Sequence, residues 1–233
     1  LSGLVGSEMC IRDRSNCNIR AVLFNDAGIG FEDAGVAGVL KLAETGMAAA
    51  ALDCRTCRIG SAEHAFTYGR VSVVNDIALE YGIKTGMSSI NALKLLADVT
   101  LPKYKLTPSI EARGDATLPV SGRTVELLDS ASLILPEDEN KIVITGSHGG
   151  LIGGDPSRAL KARARIAIFN DAGVGIEGVG ITRLPALDLL GVAAATVSSR
   201  TARIGDATSA LETGIISHIN ETAANQGAQS GLG

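Results

Sequence analysis

Tryptophan is absent, and only 3% of the 233 residues are aromatic. Binders of single-stranded nucleic acid stack bases on aromatic rings, and this chain has too few for such a platform. Positive charge is not in excess either: 21 Lys and Arg face 25 Asp and Glu, a formal net charge of −4. A broad footprint on a phosphate backbone needs the opposite balance. No apolar run approaches the roughly 18 residues that span a bilayer as a helix. These deficits argue against nucleic-acid and membrane partners.

Cysteine is also sparse. Of four, Cys10 falls in Met9-Cys10-Ile11-Arg12-Asp13-Arg14, which reads like the translation of a transposon-end sequencing adapter. Residues 1–14 are therefore set aside as an artefact of a metagenomic fragment. The three that remain, Cys17, Cys54 and Cys57, make no disulfide framework and point to a reducing, cytoplasmic setting.

What the chain has is glycine, 28 of them, within a 45% hydrophobic composition. Tight turns and small-residue packing of this kind suit an α/β protein with a sizeable core. The order within that composition is a repeat. A slide of 145 positions aligns Arg20–Gly86 with Arg165–Gly231 without a gap, with about 27 of roughly 67 positions identical. Phe24-Asn25-Asp26-Ala27-Gly28-Ile29-Gly30 returns as Phe169-Asn170-Asp171-Ala172-Gly173-Val174-Gly175. Arg55-Thr56-Cys57-Arg58-Ile59-Gly60 returns as Arg200-Thr201-Ala202-Arg203-Ile204-Gly205. The expected fold is α/β, two tandem pseudo-symmetric repeats with a mainly parallel sheet. The first repeat spans 15–98 and is truncated at its N-terminus; 99–140 is linker and insertion; the second repeat spans 141–233.

In the second copy, Lys141–Thr145 reads as a buried strand, ending in Gly146-Ser147-His148-Gly149-Gly150. Asp155-Pro156 starts a short helix through Lys161. Arg165–Phe169 is a strand, Gly180–Leu190 a helix stopped by Gly191, and Val192–Val197 a strand. Asp206 to about Ala224 is expected as one closing helix. In the insertion, Thr124–Leu128 and Ala131–Leu135 are expected as strands. Strands alternating with helices make a parallel sheet, and such sheets bind ligands beyond their strand carboxyl ends.

The polar loops fall at that edge. Asp26 and Asp171 suit a general base or the orientation of a ligand hydroxyl, or equally a helix cap. Asn25, Asn170, Gly173 and Gly175 accompany them, and closely spaced glycines let amides approach an anion. Gly173-Val174-Gly175-Ile176-Glu177-Gly178 matches a dinucleotide fingerprint, but Asp33 breaks it in the first copy. Arg55 with Arg58, and Arg200 with Arg203, offer guanidinium forks for a carboxylate, or salt bridges to acids of the other copy. His148, beside Ser147 and followed by Gly149 and Gly150, combines a base, a hydroxyl and amides, although a backbone-bonded structural histidine fits as well. His64 and His218 fall in expected helices and read as structural. Cys54-x-x-Cys57 suggests redox chemistry, which Ser199 and Ala202 in the second copy argue against.

The leading expectation is an enzyme acting on a small anionic carboxylate, marginally a hydrolase, with lyase and isomerase chemistry open, at the strand ends between the repeats. No cofactor or metal is expected, and a homo-oligomer is possible. The alternatives are a nucleotide- or NAD-dependent oxidoreductase and a non-catalytic small-molecule binding protein.

Overall fold

Alanine is a poor strand former, yet Ala48–Leu52 (Ala-Ala-Ala-Ala-Leu) and Ala193–Val197 are strands with every residue buried. Burial on both faces, with helices packed close, outweighs intrinsic propensity there. The computed structural model describes residues 19–102 and 110–232. The suspected adapter at 1–14, Cys10 and Cys17, and residues 103–109 of the expected linker lie outside them. The described chain is mixed α/β with two sheets and divides into two units.

The first unit draws on residues 19–29, 35–102, 110 and 175–177. It contains β1 (Ala21–Asn25), α1 (Ala37–Lys41), β2 (Ala48–Leu52), α2 (Ala62–Tyr68), β3 (Val71–Val74), α3 (Asp76–Glu80) and α4 (Ser89–Leu96). Its sheet runs β1-β2-β3, with β1 parallel and β3 antiparallel to β2. Alternate residues of β2 serve two cores. Ala49 and Ala51 pack with Val39 of α1, whereas Ala48, Ala50 and Leu52 pack with Ala78 of α3. Buried Asn75 joins these layers: its Oδ1 accepts Ala49 N and Ala78 N, and its Nδ2 donates to Met47 O and Val39 O. That uses its full hydrogen-bonding capacity.

The second unit draws on residues 30–34, 111–174 and 178–232. It contains β4 (Arg113–Thr117), β5 (Thr124–Leu128), β6 (Ile142–His148), β7 (Ile166–Asn170), α5 (Arg183–Asp188), β8 (Ala193–Val197), α6 (Ala207–Glu212), β9 (Ile216–Ile219) and α7 (Glu221–Asn225). Six strands run in the order β4-β5-β6-β7-β8-β9. β5 to β8 are mutually parallel, and antiparallel β4 and β9 close the edges. Part of the stretch expected as linker and insertion thus supplies β4 and β5. Strand registers match at the 145-residue offset: Ala21 pairs with Ala48 in β1 and β2, and Ile166 with Ala193 in β7 and β8. Asn220 holds Ala194 N, Ala223 N, Val192 O and Leu184 O as Asn75 holds its own four partners.

Several expected elements differ. The single closing helix is α6, β9 and α7. Gly214 ends α6 because a Cβ there would lie 2.3 Å from Ala210 O, and Asn220 caps α7. Ile216–Ile219 then pairs with β8, which puts His218 on a strand instead of a helix. Ala131–Leu133 is a 3-10 turn capped by Ser130, not a strand. Asp155 does cap a turn, but it is a 3-10 turn over Pro156–Arg158 that stops short of Lys161. The helix expected from Gly180 splits into a 3-10 segment, Ile176–Ile181, and α5.

Candidate functional site

β1 and β7 each end in Asn-Asp-Ala-Gly, and both loops turn through four consecutive residues of positive φ. These are Ala27 to Gly30 (48°, 76°, 64°, 77°) and Ala172 to Gly175 (48°, 71°, 63°, 70°). Such backbone costs roughly 1–2 kcal/mol at each non-glycine residue, and it persists where the surroundings dictate it. The asparagine and aspartate do the dictating. Asp26 Oδ1 accepts Gly28 N at 2.9 Å and Cys54 N at 3.0 Å; Asp171 Oδ1 accepts Gly173 N at 3.0 Å and Ser199 N at 2.9 Å. Asn25 and Asn170 accept Ala27 N and Ala172 N and donate to Cys57 O and Ala202 O. Each Asn-Asp pair therefore ties its own loop to the loop after the next strand. The amides of residues 27, 28, 29 and 31 in one loop, and of 172, 173, 174 and 176 in the other, donate within the chain. Among the described residues, Gly30 N and Gly175 N are the amides left over in these turns, which is little to cradle a phosphate.

The four loop arginines have separate surroundings. Arg55 is exposed and paired with Asp53, whose carboxyl it holds below the usual range. Arg58 pairs with Glu177 at 2.6 Å in the first unit, and Arg203 pairs with Glu32 at 2.6 Å and with Asp206 in the second. Arg200 is exposed, and among the described residues its guanidinium has no partner. Cys54 and Cys57 are free and buried. Burial, reinforced by the Asp26 charge, pushes the Cys54 thiol up to about 12, and burial raises Cys57 as well. Neither is poised as a thiolate. Donor atoms of Asp26, Asp53 and Cys54 lie within 4.8 Å of one another. Both carboxylates there are already engaged, by two amides and by Arg55.

The end of β6 is different. His148 is 9% exposed, and its Nδ1 accepts Gly150 N at 3.1 Å. Gly149 N donates to Asn170 O, and Gly149 O accepts Arg183 N. Both glycine amides are thus spent, leaving no oxyanion hole in this turn. Ser147 Oγ accepts Ala131 N at 2.9 Å, and none of the hydrogen bonds of the described residues joins it to His148. His64, on α2, stacks near Tyr68, and His218 Nδ1 meets Ser217 Oγ.

Arg183, at the start of α5, is the residue the sequence reading missed. It is 6% exposed, lies 5.1 Å above the Phe169 ring, and donates from Nε to Gly150 O (3.1 Å) and from Nη1 to Ala159 O (2.8 Å). No carboxylate pairs with it among the described residues, although buried arginines are normally paired. Burial lowers its pKa to about 10, so it stays charged at neutral pH. Burial, with a smaller push from the Arg183 charge, depresses His148 to about 4 and keeps it neutral. A signal was available in the sequence. The first copy has Gly38 at the matching position, and Arg183 interrupts the buried stripe of Leu184 and Leu187.

The chain matches no protein-family model, no curated protein and no solved structure. Among the described residues no helix is long and apolar enough to cross a membrane.

Proposed function

We propose that the chain is an enzyme acting on a small carboxylate at the carboxyl end of β6 in the second unit. One observation carries this reading: Arg183 is a buried, charged guanidinium with no carboxylate paired to it among the described residues. A buried cation that only carbonyl dipoles and an aromatic face support is costly. A carboxylate ligand offsets that cost through charge-assisted, fork-shaped hydrogen bonding. Ser147 Oγ accepts Ala131 N, and the His148 lone pair at Nδ1 is taken by Gly150 N, so the local bonding argues against acyl transfer by this pair. Tandem duplication is part of the proposal and is supported by the matching strand registers. A cytoplasmic setting is supported by the two free cysteines.

The test is thermal denaturation with acetate, malonate and succinate against chloride at equal ionic strength. At a hundred times Kd a ligand adds about 2.7 kcal/mol. That corresponds to a rise of roughly 5–10 °C for a chain of this size. The rise should vanish in Arg183→Met and survive Arg200→Ala. No carboxylate-dependent rise, or one that persists in Arg183→Met, overturns the reading.

A further inference from the structure

A neutral imidazole carries one proton, and at His148 hydrogen bonding decides where it sits. Nδ1 accepts Gly150 N, so the proton is on Nε2. That Nε2–H meets no protein acceptor among the described residues, and it is not one of the buried unpartnered atoms, so it faces solvent and is open to a ligand. Arg183 has a similar surplus. A guanidinium offers five N–H donors, and this one donates two, to Gly150 O and Ala159 O. Gly150 links the two side chains, its amide held by His148 and its carbonyl by Arg183. The spare groups are all donors: the remaining N–H groups of a charged guanidinium and one uncharged N–H, on two residues that share Gly150.

We propose that this site takes a 2-oxo carboxylate, with the carboxylate on Arg183 and the neighbouring 2-oxo oxygen receiving the Nε2–H of His148. The inference rests on the carboxylate reading above and adds the second functional group. A 2-oxo oxygen only accepts, which suits a donor-only pair. A 2-hydroxy acid brings a hydroxyl proton for which neither side chain has an acceptor. Gly38 at the position matching Arg183 makes the expected stoichiometry one ligand per chain.

Calorimetric titration of the full chain with matched acids tests this: pyruvate against propionate, and 2-oxoglutarate against glutarate. The 2-oxo member of at least one pair should bind about tenfold more tightly, the worth of one well-made hydrogen bond. His148→Phe should bring that ratio close to one while propionate or glutarate binding is kept, and Arg183→Met should abolish both. Equal binding of oxo and plain acids, still dependent on Arg183, defeats this inference and leaves the carboxylate reading standing. Absence of any Arg183-dependent binding defeats both. Imidazole 15N chemical shifts of the unaltered protein give a check that survives a poorly folding variant. A proton found on Nδ1 at neutral pH overturns the assignment of Nε2–H as donor.

Discussion

The guanidinium carbon of Arg183 lies 5.1 Å from the centroid of the Phe169 ring, and both side chains are buried. A desolvated cation over an aromatic face gains up to about 2 kcal/mol. The sequence contains its own control: Phe24 matches Phe169, but Gly38 stands where Arg183 would be. Phe169→Leu in the unaltered protein should therefore cost more than packing alone. In a double-mutant cycle with Arg183→Met, urea denaturation should return a coupling of about 1–2 kcal/mol. Additive single effects would mean that the ring serves only as filling. Phe24→Leu should show the packing cost without that coupling.

Acid should destabilise the protein in two separate windows. The unfolded chain protonates His148 near pH 6.5, whereas the native site holds off protonation to about 4. Between those values the unfolded state binds more protons, so stability falls as pH drops, by about 3 kcal/mol in all. Asp138 acts lower on the scale. Arg113, aided by Lys141, holds its fully buried carboxyl well below the usual carboxylate range. Its share of stability is present above about pH 4 and is lost as pH falls below that. Urea midpoints measured from pH 7.5 to 3 should show the first loss disappear in His148→Gln and the second shrink in Asp138→Asn. An unchanged upper window in His148→Gln would refute the depressed histidine.

Asp26 and Asp171 can be separated into structural and chemical roles by choosing the substituent. Each has an Oδ1 that accepts two amides, and an asparagine oxygen can still accept both. Asp171→Asn should cost about 1 kcal/mol, while Asp171→Ala strands Ser199 N, Gly173 N keeping Ser199 Oγ, and should cost about 2 kcal/mol. Thermal or chemical denaturation of the pair decides it, and Asp26 should follow the same order. If Asn and Ala prove equally damaging to stability, the loop latch is not what these carboxylates provide. If Asn leaves stability intact but abolishes turnover on a 2-oxo acid, Asp171 has a chemical role beyond the latch.

The sequence exposed, through its apolar runs, the strands that became β6, β7 and β8, and through self-similarity at 145 positions it showed the Asn-Asp-Ala-Gly loops twice. It did not expose β9, since Ile215-Ile216-Ser217-His218-Ile219 is short and sits between two helical turns. Only pairing with β8 makes that stretch extended. Loop polarity was read as availability, and there the reading went furthest from the structure. Asn25 and Asn170 each bond within their own pair of loops, and the amides of Gly28 and Gly173 go to Asp26 and Asp171, whereas Arg58 and Arg203 find acids 119 and 171 positions away. Arg183 escaped notice for the opposite reason. It lies within an apolar run, and burial without a counter-charge cannot be seen until the chain is folded.

The 145-position self-similarity of the sequence also matches a strained residue, Asp33, with a glycine. Asp33 has φ +57° and is exposed, and among the described residues its side chain has no hydrogen bond or ion pair. The matching residue is Gly178, at φ +68°. Left-handed backbone is free to glycine but costs other residues roughly 1–2 kcal/mol. Glycine gives part of that back through greater freedom in the unfolded chain, by about 0.4–1 kcal/mol. Asp33→Gly should thus stabilise the protein by about 0.5–1 kcal/mol, a direction few surface substitutions take. The reverse change, Gly178→Asp, should destabilise it by a similar amount. Denaturation midpoints of the two variants test the pair together. If Asp33→Gly lowers the midpoint, the carboxylate is supporting the turn, and the positive φ is not the dominant cost at this site.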